Sequence, residues 1–316
     1  MSGPACLALS GGVGGAKLAL GLSHCLPAGE LTICANVGDD FEHLGLTICP
    51  DIDTLVYTLS GLANPDTGWG RAGDGSQFMK TLKSLGGESW FHLGDGDLAM
   101  HVARSERLRA GEGLAAITAD ISTRLGIEAR ILPASDDAVR TIVETASGDL
   151  PLQHYFVREQ CAPEVAGFRY EGADSARANP EVLATLASPA LHAVIVCPSN
   201  PYISIDPILA LPALRQALID CRAPVVAVSP IVSGDALKGP TAKMMHELGL
   251  TVSAIAAAGH YGGLIDGFVL DPADEALAPA IADLGIAPFA APAVMTSLDY
   301  KIALARACLD FAESLA

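Results

Sequence analysis

The chain has few basic residues, no long apolar run and no paired cysteines. It carries 19 Lys and Arg against 36 Asp and Glu, a net charge of −17, and the absence of a basic stripe argues against a nucleic-acid-binding surface. No apolar run reaches the roughly 18 residues that a membrane-spanning helix needs, and no basic-apolar export signal opens the sequence. We therefore expect a soluble, cytoplasmic protein.

The eight cysteines are scattered without a C-x-x-C pair, so a zinc site built from them is not expected. Most lie in apolar runs, where cysteine behaves as a small core residue of a reduced cytosolic protein. Half of the 316 residues are hydrophobic and 17% are charged, which is enough apolar material for a substantial core. No internal repeat or low-complexity linker divides the chain, and its length fits one large α/β domain or one domain with an insert.

A glycine-rich turn near the N-terminus is the first candidate ligand site. The apolar run 5–9 predicts a buried strand, and a helical pattern is expected to begin at Ala16. Four glycines lie between them: Gly11, Gly12, Gly14 and Gly15. Glycines let a ligand approach the backbone, and the N–H groups at a helix start favour a phosphate. An ordinary tight strand-to-helix turn is the alternative.

The turn matches neither of the two familiar nucleotide fingerprints. Ala16 precedes Lys17 and Leu18 follows it, whereas a P-loop requires Gly-Lys followed by Ser or Thr. Lys17 also stands where a dinucleotide fingerprint requires its third glycine. The turn therefore indicates a phosphate site of another kind.

Four carboxylates fall within fifteen residues after a second predicted strand at 31–35: Asp39, Asp40, Asp51 and Asp53. Hard oxygen ligands from two loops are what Mg²⁺ bound through phosphates requires. A helical pattern places Asp51 at an N-cap and Asp53 in the first turn, so helix capping is the alternative explanation for Asp51.

Two later apolar runs, 192–197 and 225–228, also end in polar loops, which carry Ser199, Asn200 and Lys238. Because the carboxyl ends of parallel strands share one edge of a sheet, at least four polar loops are expected to converge there. This pattern favours an α/β, Rossmann-like domain over 1–316 with a mostly parallel sheet flanked by helices. A smaller α/β insert is predicted at about 90–185.

Three local predictions concern the rest of the chain. The runs 141–145 and 152–157 predict a hairpin. Residues 158–181 are polar, show little periodicity and are expected to lead back to the main sheet, and 251–256 predicts a strand.

Two further polar segments carry aromatic rings or histidines. The loop 64–76 holds Trp69, one of two tryptophans, and forms either a lid or stacking surface for an aromatic ligand or a turn pinned by a packed indole. In 90–101, His92 and His101 flank a glycine turn with two acids, of which Asp95 or Asp97 could simply cap the next helix.

Eight strings in this order resemble the 2-phospho-L-lactate transferase family of deazaflavin coenzyme F-420 biosynthesis, over nearly the whole chain. They are Ser10-Gly-Gly-Val-Gly-Gly-Ala-Lys17, Asn36-Val-Gly-Asp-Asp40, Cys49-Pro-Asp-Ile-Asp-Thr-Leu-Val-Tyr-Thr-Leu59, Thr67-Gly-Trp-Gly70, Leu93-Gly-Asp-Gly-Asp-Leu-Ala-Met-His101, Leu132-Pro-Ala-Ser-Asp-Asp137, Pro198-Ser-Asn-Pro201 and Ser229-Pro-Ile231.

The resemblance implies a transferase of a substituted phosphate group that requires Mg²⁺. A phospholactyl, phosphoenolpyruvyl or related phospho-acid group would move from a guanosine diphosphate-linked donor to the terminal ribityl hydroxyl of the deazaflavin Fo, releasing GMP. The resemblance also implies a homodimer, with small-molecule substrates and neither nucleic acid nor membrane as partner. It leaves open whether the donor acid is phospholactate, phosphoenolpyruvate or phosphoglycerate.

Residue roles follow from the resemblance as expectations. Asp53, as orienter or base of the Fo hydroxyl, and Asp40 would be catalytic. Mg²⁺ would be bound by Asp39, Asp40 and Asp51. Substrates would be bound by Gly11, Gly12, Gly14, Gly15, Lys17, Asp53, Trp69, His92, Ser199, Asn200 and Lys238. Two positions depart from the family pattern: His92 replaces a basic residue, and Val13 replaces a common threonine.

Two other functions remain open. A sugar-nucleotide-binding regulator of related fold would bind a nucleotide without turnover, but the strings at 49–59 and 93–101 favour the transferase. An NAD-dependent dehydrogenase would place Asp39 or Asp40 on a ribose, and the missing third glycine weighs against it.

Overall fold

This computed structural model describes residues 5–316 of the protein. Seven parallel strands form its central sheet. In spatial order they are β14 (Ala287–Ala290), β13 (Gly267–Leu270), β10 (Val225–Val228), β9 (Ala193–Val196), β1 (Cys6–Ser10), β2 (Leu31–Ala35) and β5 (Arg130–Pro133). Strands β1, β2, β9 and β10 are buried along their whole length, as near-continuous apolar runs covered on both faces should be. The predicted Rossmann-like α/β fold is confirmed.

The strand order reverses at β1. Strands β2 and β5 continue the sheet on one side of β1, and β9, β10, β13 and β14 continue it on the other. In the register of the sheet, Cys6 on β1 lies opposite both Leu31 and Ala193. Open parallel sheets bind ligands outside the carboxyl ends of the strands at such a switch point. The loops after β1 and β9 therefore mark the position of the site.

Twelve α-helices accompany the strands within the described residues. They are α1 (Gly12–Cys25), α2 (Pro50–Leu59), α3 (Gln77–Ser84), α4 (Asp95–Arg109), α5 (Leu114–Arg124), α6 (Pro180–Leu186), α7 (Asp206–Leu209), α8 (Pro212–Ile219), α9 (Thr241–Glu247), α10 (Ala254–Tyr261), α11 (Ala278–Ala282) and α12 (Leu298–Leu315). Helix α1 packs on α2 and α12, and a Cβ on Gly21 would lie 2.2 Å from the carbonyl oxygen of Lys301. The backbones of α1 and α12 are therefore in direct contact.

Within residues 5–316, no single helix has both the length and the apolar character of a membrane span. Pro201–Leu209 and Pro212–Ile219, bent by 86°, meet that test of length and composition only when taken together.

A second, three-stranded antiparallel sheet has the order β7 (Leu150–Pro151), β6 (Arg140–Thr145) and β8 (Val165–Glu171). The first predicted hairpin strand is present as β6, which pairs with β7. The second predicted strand, 152–157, is wrong, because β7 ends at Pro151 and 154–158 forms a π-helical turn. Residues 158–181, expected to lead back to the main sheet, contain β8, which pairs with β6 in the separate sheet. Only Val165 of β8 is buried, so this edge strand carries little hydrophobic periodicity. Two short hairpins complete the strands: β3 (Phe41–His43) with β4 (Leu46–Ile48), and β11 (Ile231–Val232) with β12 (Asp235–Ala236).

The predicted strand at 251–256 is wrong, because this region begins helix α10. The side chain of Ser253 caps α10 by accepting a hydrogen bond from the N–H of Ala256. The boundaries of the insert at 90–185 stay a prediction. Within that range β5 pairs with β2 in the central sheet, whereas β6, β7 and β8 form the separate sheet.

Helices α3 and α4 cap each other. The carboxylate of Asp74, which precedes α3, accepts hydrogen bonds from the N–H groups of Gly96 and Asp97 in α4, at 2.6 and 3.0 Å. The carboxylate of Asp95 in α4 accepts from the N–H groups of Gln77 and Phe78 in α3, at 3.1 and 2.9 Å. The N-cap residue of α4 is Gly94, so neither Asp95 nor Asp97 is the N-cap of its own helix.

Candidate active site

The glycine turn after β1 is shorter than the sequence predicts. Helix α1 begins at Gly12, not at Ala16, and Gly11 is its N-cap. A Cβ on Gly14 would lie 2.1 Å from the carbonyl oxygen of Pro198, and one on Gly15 would lie 2.4 Å from Oγ of Ser10. Close packing of the protein itself therefore requires Gly14 and Gly15, as in the tight-turn alternative. Phosphate binding by the turn stays a prediction.

Asp51 lies at the N-terminus of α1. Its Oδ1 accepts a 2.6 Å hydrogen bond from the N–H of Gly12, which has a φ of +64°. The expected N-cap role of Asp51 in α2 is wrong, because Cys49 is the N-cap and Pro50 takes the first helical position. Asp51 thus binds the start of a neighbouring helix, where the dipole of α1 favours a negative charge.

Asn36, the residue after β2, draws two of the carboxylates together. Its Nδ2 donates to Oδ1 of Asp39 at 2.7 Å and to Oδ2 of Asp51 at 2.8 Å. Its Oδ1 accepts from the N–H of Gly38 at 2.8 Å, which fixes the orientation of the amide. The sequence analysis assigned no role to Asn36, although its place directly after a parallel strand was a usable signal.

Burial raises the pKa of three of the clustered carboxyl groups. It raises the pKa of Asp40 to about 7, against the opposing effect of the Arg140 charge, and that of Asp51 to about 6. Burial and repulsion by Asp51 raise the pKa of Asp39 well above its usual range. Oδ1 of Asp40 has no hydrogen-bond partner among the described residues. A bound cation would favour the ionised form of all three groups.

Asp53 lies in the same turn of α2 as Asp51, but its carboxylate pairs with Arg104. Both terminal nitrogens of Arg104 donate to its two carboxylate oxygens, Nη1 at 3.1 Å from Oδ2. Burial acts to lower the pKa of Arg104, but the charge of Asp53 raises it above its usual range. Arg104 is 1% exposed. Asp53 is thus held in a buried, two-point ion pair.

A histidine connects Asp53 to a further carboxylate. Nδ1 of His101 lies 3.6 Å from Oδ2 of Asp53, and its Nε2 lies 3.1 Å from Oδ2 of Asp97. The hydroxyl of Tyr57 donates to Oδ1 of Asp97 at 2.6 Å. Ligand atoms of Asp53, Asp97 and His101 lie within 4.8 Å of one another, so these three residues could hold a metal ion.

The functional face of α4 was not predicted from the sequence. Asp97, His101 and Arg104 recur at the spacing of one helical face, and Asp53 and Tyr57 do the same on α2. The spacing was readable in the sequence, but the pairing of the two faces was not. The predicted metal ligands Asp39, Asp40 and Asp51 do not form that three-residue group and stay a prediction.

The loop after β9 lies against the glycine turn. Oγ of Ser199 donates to the carbonyl oxygen of Gly11 at 2.7 Å. Asn200 caps the following π-helical turn, its Oδ1 accepting from the N–H groups of Tyr202 and Ile203 at 2.9 and 3.3 Å. Both residues lie at the switch point, as predicted from the strand ends, and their binding of a substrate remains untested.

Comparison with known proteins identifies the family. The family model described as 2-phospho-L-lactate transferase (CofD) matches residues 6–284. The chain belongs to this family. It is 39% identical over 316 residues to a phosphoenolpyruvate transferase of Kitasatospora aureofaciens, covering 98% of each chain. It is 38% identical over 313 residues to a phosphoenolpyruvate transferase of Streptomyces griseus, covering 97% of this chain and 98% of that one.

A solved structure supports the fold of this 2-phospho-L-lactate transferase family member. A Bacillus halodurans protein described as a member of the UPF0052 family matches with a TM-score of 0.59 and 16% identity, over 92% of this chain and 93% of that one. Membership of the family makes the protein an enzyme that transfers a phosphate-containing group. It favours this function over the regulator and the dehydrogenase.

In this family member, a loop and a lysine lie beside the glycine turn. Nζ of Lys238 donates to the carbonyl oxygen of Thr67, and a Cβ on Gly68 would lie 2.9 Å from Cγ1 of Val13. Burial and the nearby charge of Lys17 lower the pKa of Lys238. Trp69 in this loop is 53% exposed, so its indole is not packed as the pinned-turn alternative requires.

His92 is exposed and follows a cluster of aromatic and histidine rings: Phe41, His43, Trp90, Phe91 and His154. The rings of Trp90 and His43 meet edge to face, with centroids 5.1 Å apart. His43 is buried and its Nε2 has no hydrogen-bond partner within residues 5–316. The role predicted for His92 at a substrate stays untested.

Proposed function

We propose that the protein transfers a phosphoenolpyruvyl-type group from a guanosine diphosphate-linked donor to the terminal ribityl hydroxyl of Fo, in coenzyme F-420 biosynthesis. The observation that carries the proposal is the carboxylate cluster at the switch point, beside the start of α1 and the loop after β9. The curated relatives named phosphoenolpyruvate transferase support this donor over phospholactate and phosphoglycerate.

The reaction exchanges one phosphorus–oxygen bond for another. The Fo hydroxyl oxygen bonds to the phosphorus that carries the donor acid, the bridging bond of the diphosphate breaks, and GMP leaves. The hydroxyl proton passes to a base. In phosphoryl transfer, positioning and neutralisation of charge supply most of the barrier reduction.

The chemistry of three carboxylates suits a magnesium ion, although their ligand atoms, unlike those of Asp53, Asp97 and His101, do not all lie within 4.8 Å of one another. Asp39, Asp40 and Asp51 offer the hard oxygen ligands that Mg²⁺ prefers, and one oxygen of buried Asp40 has no partner among the described residues. Bound there, the ion would neutralise charge on the diphosphate and on the leaving GMP. We prefer this set to Asp53, Asp97 and His101, because Arg104 and Tyr57 already bind the two carboxylates of that group.

Two carboxylates are assigned to the acceptor. Asp53 orients the Fo hydroxyl, since Arg104 holds both of its carboxylate oxygens in place and each oxygen can still accept a further hydrogen bond. Asp40, with a pKa raised to about 7, is the better proton acceptor near neutral pH. As a metal ligand Asp40 would stay ionised, and the pH dependence of kcat separates these two roles.

The remaining predicted contacts are assigned to the donor and to the deazaflavin ring. Lys17, Lys238 and the backbone of the glycine turn, residues 11–15, would hold the diphosphate, with Ser199 and Asn200 on the facing loop. Trp69 and His92 would contact the flat ring of Fo. The exposure of Trp69 supports its role as a stacking surface.

One assay tests the function. The protein is incubated with Fo, Mg²⁺ and, in separate reactions, the three guanosine diphosphate-linked phospho-acids, and GMP and a more anionic deazaflavin are measured by chromatography and mass spectrometry. We expect GMP and deazaflavin product in equal amounts, fastest with the phosphoenolpyruvyl donor. Absence of GMP with all three donors would contradict the transferase assignment, and tight GDP binding without turnover would support the regulator.

A further inference from the structure

Helix α4 carries Arg104, a buried cation whose two terminal nitrogens bind the two carboxylate oxygens of Asp53. We propose that Arg104 is the positioning residue for Asp53, fixing this carboxylate in the orientation that binds the acceptor hydroxyl. The proposal rests on the transferase function proposed above and assigns a role to a residue that the predicted site does not include.

The geometry of the pair supports positioning. Nη1 and Nη2 of Arg104 each bind one oxygen of Asp53. Two contacts fix the plane of the carboxylate, whereas a single contact would leave it free to rotate. Nη1 also lies 3.5 Å from the carbonyl oxygen of Thr47, which anchors the guanidinium to β4. Each carboxylate oxygen of Asp53 keeps a lone pair that can accept a hydrogen bond from the hydroxyl group of the acceptor.

The electrostatics give the second reason for Arg104. Asp53 adds a buried negative charge near Asp40 and Asp51, and Arg104 is the cation that pairs with it. A buried carboxylate without a cation is costly, so removal of Arg104 would leave Asp53 to turn away from its present orientation.

The position of Arg104 is itself fixed. It lies one turn after His101 on α4, and Nδ1 of His101 is 3.5 Å from its Nη1. Arg104 is almost completely buried, and its guanidinium is held between Asp53 on α2 and the carbonyl oxygen of Thr47 on β4. It therefore acts on the reaction through Asp53 rather than by binding a substrate.

A double-mutant cycle measures how much of the effect of Arg104 on kcat requires Asp53. Four proteins are compared at saturating Fo and donor: wild type, Arg104→Met, Asp53→Asn and the double variant. We expect Arg104→Met to lower kcat by about 100-fold with Asp53 present, a loss typical of a misplaced reacting group. In the Asp53→Asn background, Arg104→Met should lower kcat by less than about threefold, because the carboxylate through which Arg104 acts is gone.

Arg104→Lys separates orientation from charge. Lysine keeps the charge but loses the planar fork, so we expect kcat to fall about tenfold and the KM of the donor to stay within about twofold. Arg107→Met is the matched control, since Arg107 lies on the same helix but pairs with the exposed carboxylates of Glu112 and Asp120. It should keep wild-type kcat.

The outcomes are distinguishable. Equal losses from Arg104→Met in both backgrounds, or wild-type kcat in Arg104→Lys, would overturn the positioning role while leaving GMP formation by the wild type intact. If wild type forms no GMP, the proposed function itself fails. If Arg104→Met does not fold, two other variants still test the proposal: Arg104→Lys and the double variant, which removes both charges. A wild-type kcat in Arg104→Lys would contradict the positioning role. So would a kcat of the double variant far below that of Asp53→Asn.

Discussion

Oδ1 of Asp51 accepts a 2.6 Å hydrogen bond from the backbone N–H of Gly12, so a buried carboxylate stands at the positive end of helix α1. A helix start is a natural phosphate site, but here part of it is taken by a side chain of the protein. A donor diphosphate bound at α1 would lie close to the negative charge of Asp51. A cation between the two anions resolves this repulsion, which is the physical reason for assigning Mg²⁺ to this carboxylate cluster.

Substitutions of Asp51 separate its two tasks. Asp51→Ala removes the acceptor for Gly12 and should lower the free energy of unfolding by about 1 kcal/mol. Asp51→Asn can keep that hydrogen bond and relieves repulsion with Asp39, but its amide nitrogen would face Nδ2 of Asn36, so its Tm should fall by less than that of Asp51→Ala. Both variants should lose at least about tenfold in GMP formation. Thermal denaturation and the GMP assay measure the two effects, and wild-type turnover in Asp51→Asn would remove its charge from the mechanism.

The stability of the metal-free protein should fall as the pH rises toward neutrality. Burial raises the pKa of Asp40 from an ordinary 3.8 to about 7, so between these values the folded protein holds a proton that the unfolded chain has lost. Unfolding then becomes easier with rising pH across this window, and the effect levels off above about pH 7.

Thermal melts in EDTA at pH 5, 6, 7 and 8 measure this dependence. Asp40→Asn, which does not titrate, should flatten the decline relative to wild type. Mg²⁺ should raise Tm more at pH 8 than at pH 5, because it competes with the proton. An identical pH dependence in both proteins would contradict the raised pKa of Asp40.

Two glycine-to-alanine changes should shift the free energy of unfolding in opposite directions. Gly14→Ala places a Cβ 2.1 Å from the carbonyl oxygen of Pro198 and should destabilise the protein by roughly 2 kcal/mol or more. Gly259→Ala in α10 has Cδ1 of Leu284 at 3.7 Å as its nearest neighbour and should stabilise by about 0.5–1 kcal/mol, as alanine does inside helices. Urea denaturation measures both, and an unchanged midpoint for Gly14→Ala would show that the loop after β9 can move away.

Lys238 should matter more for donor binding than for the chemical step. Its ammonium lies near that of Lys17 and binds the carbonyl oxygen of Thr67. Lys238→Met should raise the KM of the donor about tenfold and change kcat little, since a uniform binding contact is lost. Lys80→Met, on the exposed face of α3, is the control. A lower kcat with unchanged KM would instead indicate a role in the transition state.

The sequence predicted the parts of the fold that repeat one pattern. Strand β1, the glycine turn and α1 were recognisable because an apolar strand, a turn and a helix follow one another along the chain. The edge strand β8 was not, since only Val165 on it is buried. Helix α10 was taken for a strand because a short apolar run such as 254–258 carries no period that distinguishes the two.

The same limit applies to the candidate site. The expectation that Asp39 and Asp51 lie together followed from the oxygen ligands that a metal draws from two loops, and their shared hydrogen bonds to Asn36 agree with it. The pairing of Asp53 with Arg104 spans 51 residues and depends on how α4 packs against α2, which no local pattern specifies. Phosphate contacts by the glycines also stay a prediction, because the packing of Gly14 against Pro198 accounts for its lack of a side chain.

The exchange of aspartates between α3 and α4 has a consequence for how this region opens. Asp74 and Asp95 each bind the first N–H groups of the other helix, so fraying of either start breaks hydrogen bonds in both. The stretch from 74 to 97 should therefore behave as a single foldon: its amides should exchange with deuterium at similar rates and should lose protection together in Asp74→Ala. Because α4 also carries Arg104, opening of this unit would reach Asp53 through one helix.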